Sequence, residues 1–252
     1  MDALSQWHAS ILDILNILRG TLMVEHNTQT FYLYTDGDCE GGVGSCKLSN
    51  GMEYAGQFKD GLWHGKGKLL FPDGSKYSGY FQQGLMHDHG VLYLSNGSKY
   101  VGEFEYGNKH GQGTETFKDG STYVGGFMEG KWHGLGEFKK RSDGSKLVGI
   151  FSYGKLHGHG RAESPDGAQY IGEYYNGVKH GKGIEIYPDG TQYSGEFSKG
   201  KFDGYGEVSF PDGVHYRGIF RDGLYHGEGT LTTPEGEVLK GVFSEGELSD
   251  QA

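Results

Sequence analysis

Tyr54-Ala55-Gly56-Gln57-Phe58-Lys59-Asp60-Gly61-Leu62-Trp63-His64-Gly65-Lys66-Gly67-Lys68-Leu69-Leu70-Phe71-Pro72-Asp73-Gly74-Ser75-Lys76 is one unit of a repeat that fills most of the chain. Its opening signature, Tyr-x-Gly-x-Phe, starts again at Tyr77, Tyr100, Tyr123, Tyr170, Tyr193 and Tyr216. Leu147 and Leu239 open two variant copies, and Tyr174 stands in for the final Phe of one. Nearly all starts are 23 residues apart; the step from Tyr123 to Leu147 is 24, an insertion between Lys139 and Ser142. So short a period describes a stack of small units that touch their neighbours, not a globule around one core.

Within the unit, residues 54–58 and 65–71 are strand-length and alternate with period two, whereas 59–64 and 72–74 carry turn chemistry. All five prolines (Pro72, Pro165, Pro188, Pro211 and Pro234) directly precede Asp-Gly or Glu-Gly. Pro at i+1, Asp at i+2 and Gly in the left-handed region give a type I turn with a glycine bulge, a three-residue hairpin loop. Asn50-Gly51, Asn96-Gly97, Asp119-Gly120 and Asp143-Gly144 hold the same place elsewhere. The chain therefore reads as an all-β antiparallel meander.

These loops predict a register. With 72–74 as one loop, Phe71 faces Ser75, Leu69 faces Tyr77, Gly67 faces Gly79 and Gly65 faces Phe81. With 59–64 as the other, Phe58 faces Gly65, Gly56 faces Gly67 and Tyr54 faces Leu69. Both sets put the same residues on one face. Three columns result: Tyr alternating with a variable residue, an all-glycine column, and Phe alternating with Gly. Glycine in mid-strand costs roughly 0.5–1 kcal/mol relative to alanine, so something must lie close to that backbone. Two occupants stay open at this point: the repeat's own rings folded over the glycines, or a ligand in an aromatic-walled groove.

Composition narrows the function classes. The 48 glycines and 14% aromatic residues are both high, and a strict period argues for order. A net charge of −10 argues against nucleic-acid binding and gives no support to anionic membranes. No run reaches the ~18–20 apolar residues of a membrane span, and the N-terminus lacks the basic region of a secretory signal. Cys39 and Cys46 make neither a disulfide framework nor a zinc site and read as reduced thiols in a cytoplasmic protein.

Tyr-x-Gly-x-Phe followed by Gly-x-x-His-Gly-x-Gly resembles the membrane occupation and recognition nexus (MORN) repeat, from residue 54 to about 246. A degenerate copy over 31–53 would place Phe31 at the Tyr position and Gly42 and Gly44 at the paired glycines. Asp88 departs from a usual Gly, Asp203 from His, and Leu147 and Leu239 from Tyr. The resemblance implies an elongated, twisted single sheet used as a non-enzymatic scaffold, with cytoskeletal, ciliary or membrane-tethering roles and, in some members, a partner helix held in the groove. The expected organisation is an N-terminal amphipathic helix over 1–20, leading strands and the degenerate repeat over 21–53, and the hairpin array over 54–252.

The candidate partner-binding residues are the aromatic walls: Tyr54, Phe58, Tyr77, Phe81, Tyr100, Phe104, Tyr123, Phe127, Tyr170, Tyr174, Tyr193, Phe197, Tyr216 and Phe220. Their ligand would be an amphipathic helix or extended peptide of another protein. Trp63, Met86, Lys109, Trp132, Leu156, Lys179, Phe202 and Tyr225 read as loop-end residues, serving either loop packing or an edge contact. His64, His87, His110, His133, His157, His180 and His226 recur too far apart, at ~10 Å per repeat, to share a metal ion. Asp36, Asp38 and Glu40 resemble the start of a calcium loop, but Lys47 falls where its bidentate Glu belongs. No cofactor, metal or catalytic constellation is expected. Leu4, Trp7, Ile11, Ile14, Leu15 and Leu18 recur at helical spacing after Asp2 and before Gly20. That stripe would cap the first repeat, form a homodimer seam, or lie in the aromatic trough. Self-association and peripheral lipid binding are the rival functions.

Overall fold

A computed structural model of the chain describes residues 32–251. The helix expected over 1–20, with Leu4, Trp7, Ile11, Ile14, Leu15 and Leu18, and the part of the leading segment before residue 32, Phe31 included, lie outside the described residues. Within them the protein is all-β and antiparallel: twenty strands in chain order, without a helix. The residues cluster into two units, one holding 32–120 and 126–131, the other 121–125 and 132–251.

The first unit contains β1 (Tyr32–Gly37), β2 (Val43–Leu48), β3 (Glu53–Lys59), β4 (Leu62–Leu70) and β5 (Lys76–Gln82). After them come β6 (Leu85–Tyr93), β7 (Lys99–Glu105) and β8 (Asn108–Thr116). Strand β9 (Thr122–Met128) contributes residues to both units. The second unit runs through β10 (Lys131–Lys139), β11 (Lys146–Ser152), β12 (Lys155–Glu163), β13 (Gln169–Tyr175) and β14 (Val178–Ile186). It continues through β15 (Gln192–Ser198), β16 (Lys201–Ser209), β17 (His215–Arg221), β18 (Leu224–Thr232), β19 (Val238–Ser244) and β20 (Glu247–Gln251).

The Pro-Asp-Gly loops form as their chemistry dictates. The Phe71 N–H donates to the Ser75 carbonyl at 2.9 Å and the Gly74 N–H to the Phe71 carbonyl at 3.0 Å. Gly74 sits at φ 88°, where a Cβ would be strained. The Asp73 carboxylate accepts the Ser75 N–H at 2.8 Å, and Asn50, Asn96, Asp143, Asp166, Asp189 and Asp212 do the same two residues on. The insertion lengthens one such loop, which closes from the Lys140 N–H to the Ser145 carbonyl at 2.8 Å.

The other loop differs from the expected six residues at 59–64. It is a two-residue turn, Asp60-Gly61, with φ of 52° and 72°, the type I′ geometry that matches the twist of its flanking strands. The same x-Gly pair recurs from Gln83-Gly84 to Glu245-Gly246, always with both φ positive. Leu62, Trp63 and His64 join the strand, facing Lys59, Phe58 and Gln57. Phe58 therefore faces Trp63 and not Gly65. A bulge absorbs the difference: Gly65 and Lys66 stand unpaired between His64↔Gln57 and Gly67↔Gly56. Gly65 turns at φ 55°, and the Lys66 N–H finds the Gln57 Oε1 at 2.7 Å. Everything beyond the bulge keeps the expected register: Tyr54↔Leu69, Gly56↔Gly67, Leu69↔Tyr77, Gly67↔Gly79 and Gly65↔Phe81.

Each turn glycine also ties its hairpin to the preceding repeat. The Gly84 N–H donates to the Trp63 carbonyl at 2.9 Å, Gly107 to Met86 at 2.9 Å and Gly200 to Lys179 at 3.0 Å. These bonds are the nearest-neighbour coupling that a stack of repeats depends on.

Candidate functional site

The glycine column is filled by the protein's own tyrosines. Tyr54 lies across Gly56 and Gly67, and a Cβ added to Gly67 would sit 2.5 Å from the ring's Cε2 and hydroxyl. The hydroxyl donates to the Gln57 carbonyl at 2.8 Å. The arrangement repeats at Tyr77 onto Tyr80 (2.9 Å), Tyr100 onto Glu103 (2.9 Å), Tyr170 onto Glu173 (2.9 Å), Tyr193 onto Glu196 (2.8 Å) and Tyr216 onto Ile219 (3.0 Å). Edge-on phenylalanines pack beside each ring: Phe58 at 5.2 Å and Phe81 at 5.0 Å from Tyr54, Phe104 at 5.1 Å and Phe127 at 4.9 Å from Tyr100. Of the predicted wall, Tyr100, Tyr123, Tyr193 and Tyr216 are 0% exposed, and Tyr174, the most accessible, reaches only 7%. Burial pushes these phenols up: Tyr216 is raised, Tyr123 and Tyr174 reach about 12, and Tyr54, Tyr77, Tyr100, Tyr170 and Tyr193 go further. Of the two occupants left open by the sequence, the repeat's own rings lie over the glycines, and these rings are core.

The eight residues expected at loop ends are strand residues, and six of them lie over the same tyrosines. Trp63 lies 4.8 Å from Tyr54, Trp132 4.2 Å from Tyr123, Phe202 3.7 Å from Tyr193 and Tyr225 3.8 Å from Tyr216, all nearly parallel. The hidden bulge explains the difference, because it pulls this position into the strand. In two repeats the stacked residue is a lysine: Lys109 Nζ is 5.2 Å from the Tyr100 ring centroid and Lys179 Nζ 5.0 Å from that of Tyr170. Each is ion-paired to a glutamate, Glu115 or Glu185, that faces the tyrosine where Leu69 and Leu92 stand elsewhere. The joint replacement, Lys with Glu six residues on, is visible in the sequence of both repeats. In the variant repeat Leu147 supplies no hydroxyl. There a Cβ on Gly160 would meet the Tyr174 ring at 3.2 Å, and one on Gly149 the Leu156 Cδ2 at 3.1 Å.

The remaining candidates serve the hairpins. His87, His133 and His157 pack against Tyr106, Tyr153 and Tyr175 at centroid distances of 5.7, 5.6 and 5.2 Å. The Asp38 carboxylate accepts the Glu40 and Gly41 N–H groups at 3.0 Å each, an Asx turn that lowers its pKa. Cys39 Sγ lies 3.6 Å from the Asp36 carbonyl, and Cys46 is buried opposite Tyr54. Among the described residues, no three His, Cys, Asp or Glu side chains gather to hold a metal ion.

On the tyrosine face the described residues leave a small groove of about 190 Å³, lined by Phe202, Phe210, Phe220, Leu224 and Tyr225; larger accessible apolar surface lies on the opposite face, at the x positions of Tyr-x-Gly-x-Phe and their partners. In the second unit Leu135 faces Ile150, Ile171 faces Ile184 and Tyr205 faces Ile219, all six exposed. A groove of about 530 Å³ runs there across β13–β17, lined by Ile171, Lys182, Ile184, Tyr205 and Arg217 over the bare backbone of Gly183, Gly195 and Gly206. Arg217 Nε donates to the Tyr205 hydroxyl at 2.7 Å, fixing both side chains. In the first unit a groove of about 670 Å³ crosses β2–β6, floored by Ser45, Ala55 and Ser78. The x positions are the least regular of the repeat, so periodicity alone did not mark them.

Comparison with known proteins matches the MORN repeat at residues 54–76, 77–99, 100–122, 123–145, 148–169, 170–192, 193–215 and 216–238. No curated protein matches. Solved structures similar to the chain include the Drosophila melanogaster SAS-4 (dCPAP) TCP domain in complex with a proline-rich motif of Ana2 (dSTIL). It is 13% identical, with 71% of this chain and 90% of that one covered at a TM-score of 0.39. Another is the Danio rerio CPAP TCP10 domain in complex with a STIL peptide, 15% identical, covering 82% and 97%, at 0.27. At such scores the likeness carries no functional argument. The repeat match does identify the chain: eight consecutive units, seven of them with a tyrosine laid over paired glycines, make it a member of the MORN-repeat family.

Proposed function

We propose that the chain is a non-catalytic scaffold that binds a helical or extended peptide of a partner protein on the face opposite its tyrosines. One observation carries this: the tyrosines themselves cover their glycine column, while exposed aliphatic pairs and a groove of about 530 Å³ lie on the other face of the second unit. Ile171, Ile184 and Tyr205 supply apolar anchors of the kind that dominate peptide recognition, and Lys182 and Arg217 supply flanking charge. The groups with shifted pKa values favour a structural role over catalysis, being buried phenols, the buried Cys46 thiol and carboxylates held in turns or ion pairs. Among the described residues no helix is long and apolar enough to cross a membrane. A tethering role at cytoskeletal or ciliary structures is the cellular setting we infer from the family.

The test is a random peptide display selection on the immobilised chain, followed by fluorescence polarisation with the selected peptides. The double variant Ile171→Glu/Ile184→Glu is expected to weaken binding by at least about tenfold, roughly 1.4 kcal/mol, with unchanged circular dichroism. Peptides that bind the variant as well as the parent chain would overturn the reading.

A further inference from the structure

We infer that the groove on the first unit is covered by the chain's own residues 1–20, which act as a built-in occupant of that surface. Nine of the groove's thirteen lining residues belong to two neighbouring columns of the face opposite the tyrosines. One column is Lys47↔Glu53↔Leu70↔Lys76↔Tyr93, and the other is Ser45↔Ala55↔Lys68↔Ser78. Ala55 and Ser78 are exposed, and such short side chains let a helix approach the sheet closely. Leu70, the exposed Tyr93 ring and the methylene stems of the lysines make the walls apolar.

The occupant follows from where the chain enters. β1 begins at Tyr32, which faces Leu48, and Tyr34 faces Lys47, the first residue of the groove's outer column. The chain preceding β1 therefore arrives beside the groove's first strand. Residues 21–31 are 11 residues, able to span up to about 36 Å when extended. Read as a helix, the stripe from Leu4 to Leu18 is about 21 Å long at 1.5 Å per residue. The groove crosses β2–β6, four strand spacings or about 19 Å. Segment and groove match in length, both are apolar, and the linker reaches. The assignment stands apart from the reading of the second unit's face, because it can be tested with no partner present.

The full chain labelled with 5-fluorotryptophan carries three fluorine reporters, Trp7, Trp63 and Trp132. The Trp7 resonance is identified by its loss in Trp7→Phe. With a soluble gadolinium chelate, the expected result is that Trp7 is as shielded from broadening as the buried Trp63. In the variant Ala55→Glu/Ser78→Glu, Trp7 alone loses that shielding while Trp63 and Trp132 keep their shifts, which shows the array intact. A Trp7 signal broadened in the parent chain, or equally shielded in both proteins, would sink the proposal. Shielding that vanishes on dilution, together with a dimer mass by light scattering, would also overturn it and assign the groove to a second copy.

Discussion

At the scale of the residue, glycine and tyrosine are one device. The hydroxyl needs a backbone carbonyl, the ring needs the space of two missing side chains, and each Tyr-x-Gly meets a Gly on the facing strand for that reason. Gly67→Ala is expected to cost about 2–3 kcal/mol, at the upper end for overpacked cores, because its methyl would lie 2.5 Å from both the Tyr54 ring and its hydroxyl. Gly41→Ala, with nothing within 4 Å and no positive φ, should be neutral. Urea denaturation of the two variants makes the comparison. The glycine column itself was legible in the sequence. What filled it was not, since a strand pattern gives the face of a ring but not its tilt.

At the scale of the element, each hairpin carries two kinds of turn with different demands. The Asp-Gly loops have the residues their geometry wants. Several type I′ turns do not: Gln83, at φ 50°, sits where Asn or Asp is at less cost. Gln83→Asn is expected to stabilise by about 0.5–1 kcal/mol, read as a rise in the thermal midpoint; no rise would mean that the side chain contributes contacts of its own. The stacked ion pair makes a second test. Lys109→Met leaves the Glu115 carboxylate without its cation in a half-closed core and should cost about 2–3 kcal/mol. Adding Glu115→Leu, which restores the composition of the neighbouring repeats, should recover most of that loss. A double variant as unstable as the single one would show that the pair does more than balance itself. The bulge, in contrast, was hidden in the sequence. Gly65 announced flexibility, but nothing local says that the register slips there instead of in a longer loop.

At the scale of the whole molecule, the core is a series of phenols, and alkaline pH should act on all of them together. Unfolded tyrosine titrates near ~10, whereas burial holds Tyr123 and Tyr174 at about 12. Because the folded values lie above the unfolded ones, this stabilisation is fully present below pH ~10 and is lost as pH rises through the folded values. Parallel titrations by tyrosinate absorbance and circular dichroism are expected to show the core phenols ionising only as the β signal collapses. Ionisation well before that collapse would mean that the rings are reachable by water in the folded state, and would reopen the trough as a binding site.

The sequence alone determined the repeat, the hairpin meander, one of the two turns and nearly all of the register, because these follow from period-two alternation and from the φ angles that Gly and Pro impose. The tertiary structure decided which face is closed. Fourteen aromatic side chains with the right spacing can line a groove or fill it. Only the positions of their rings against backbone carbonyls and against each other select filling, and so move the candidate binding surface to the residues between them.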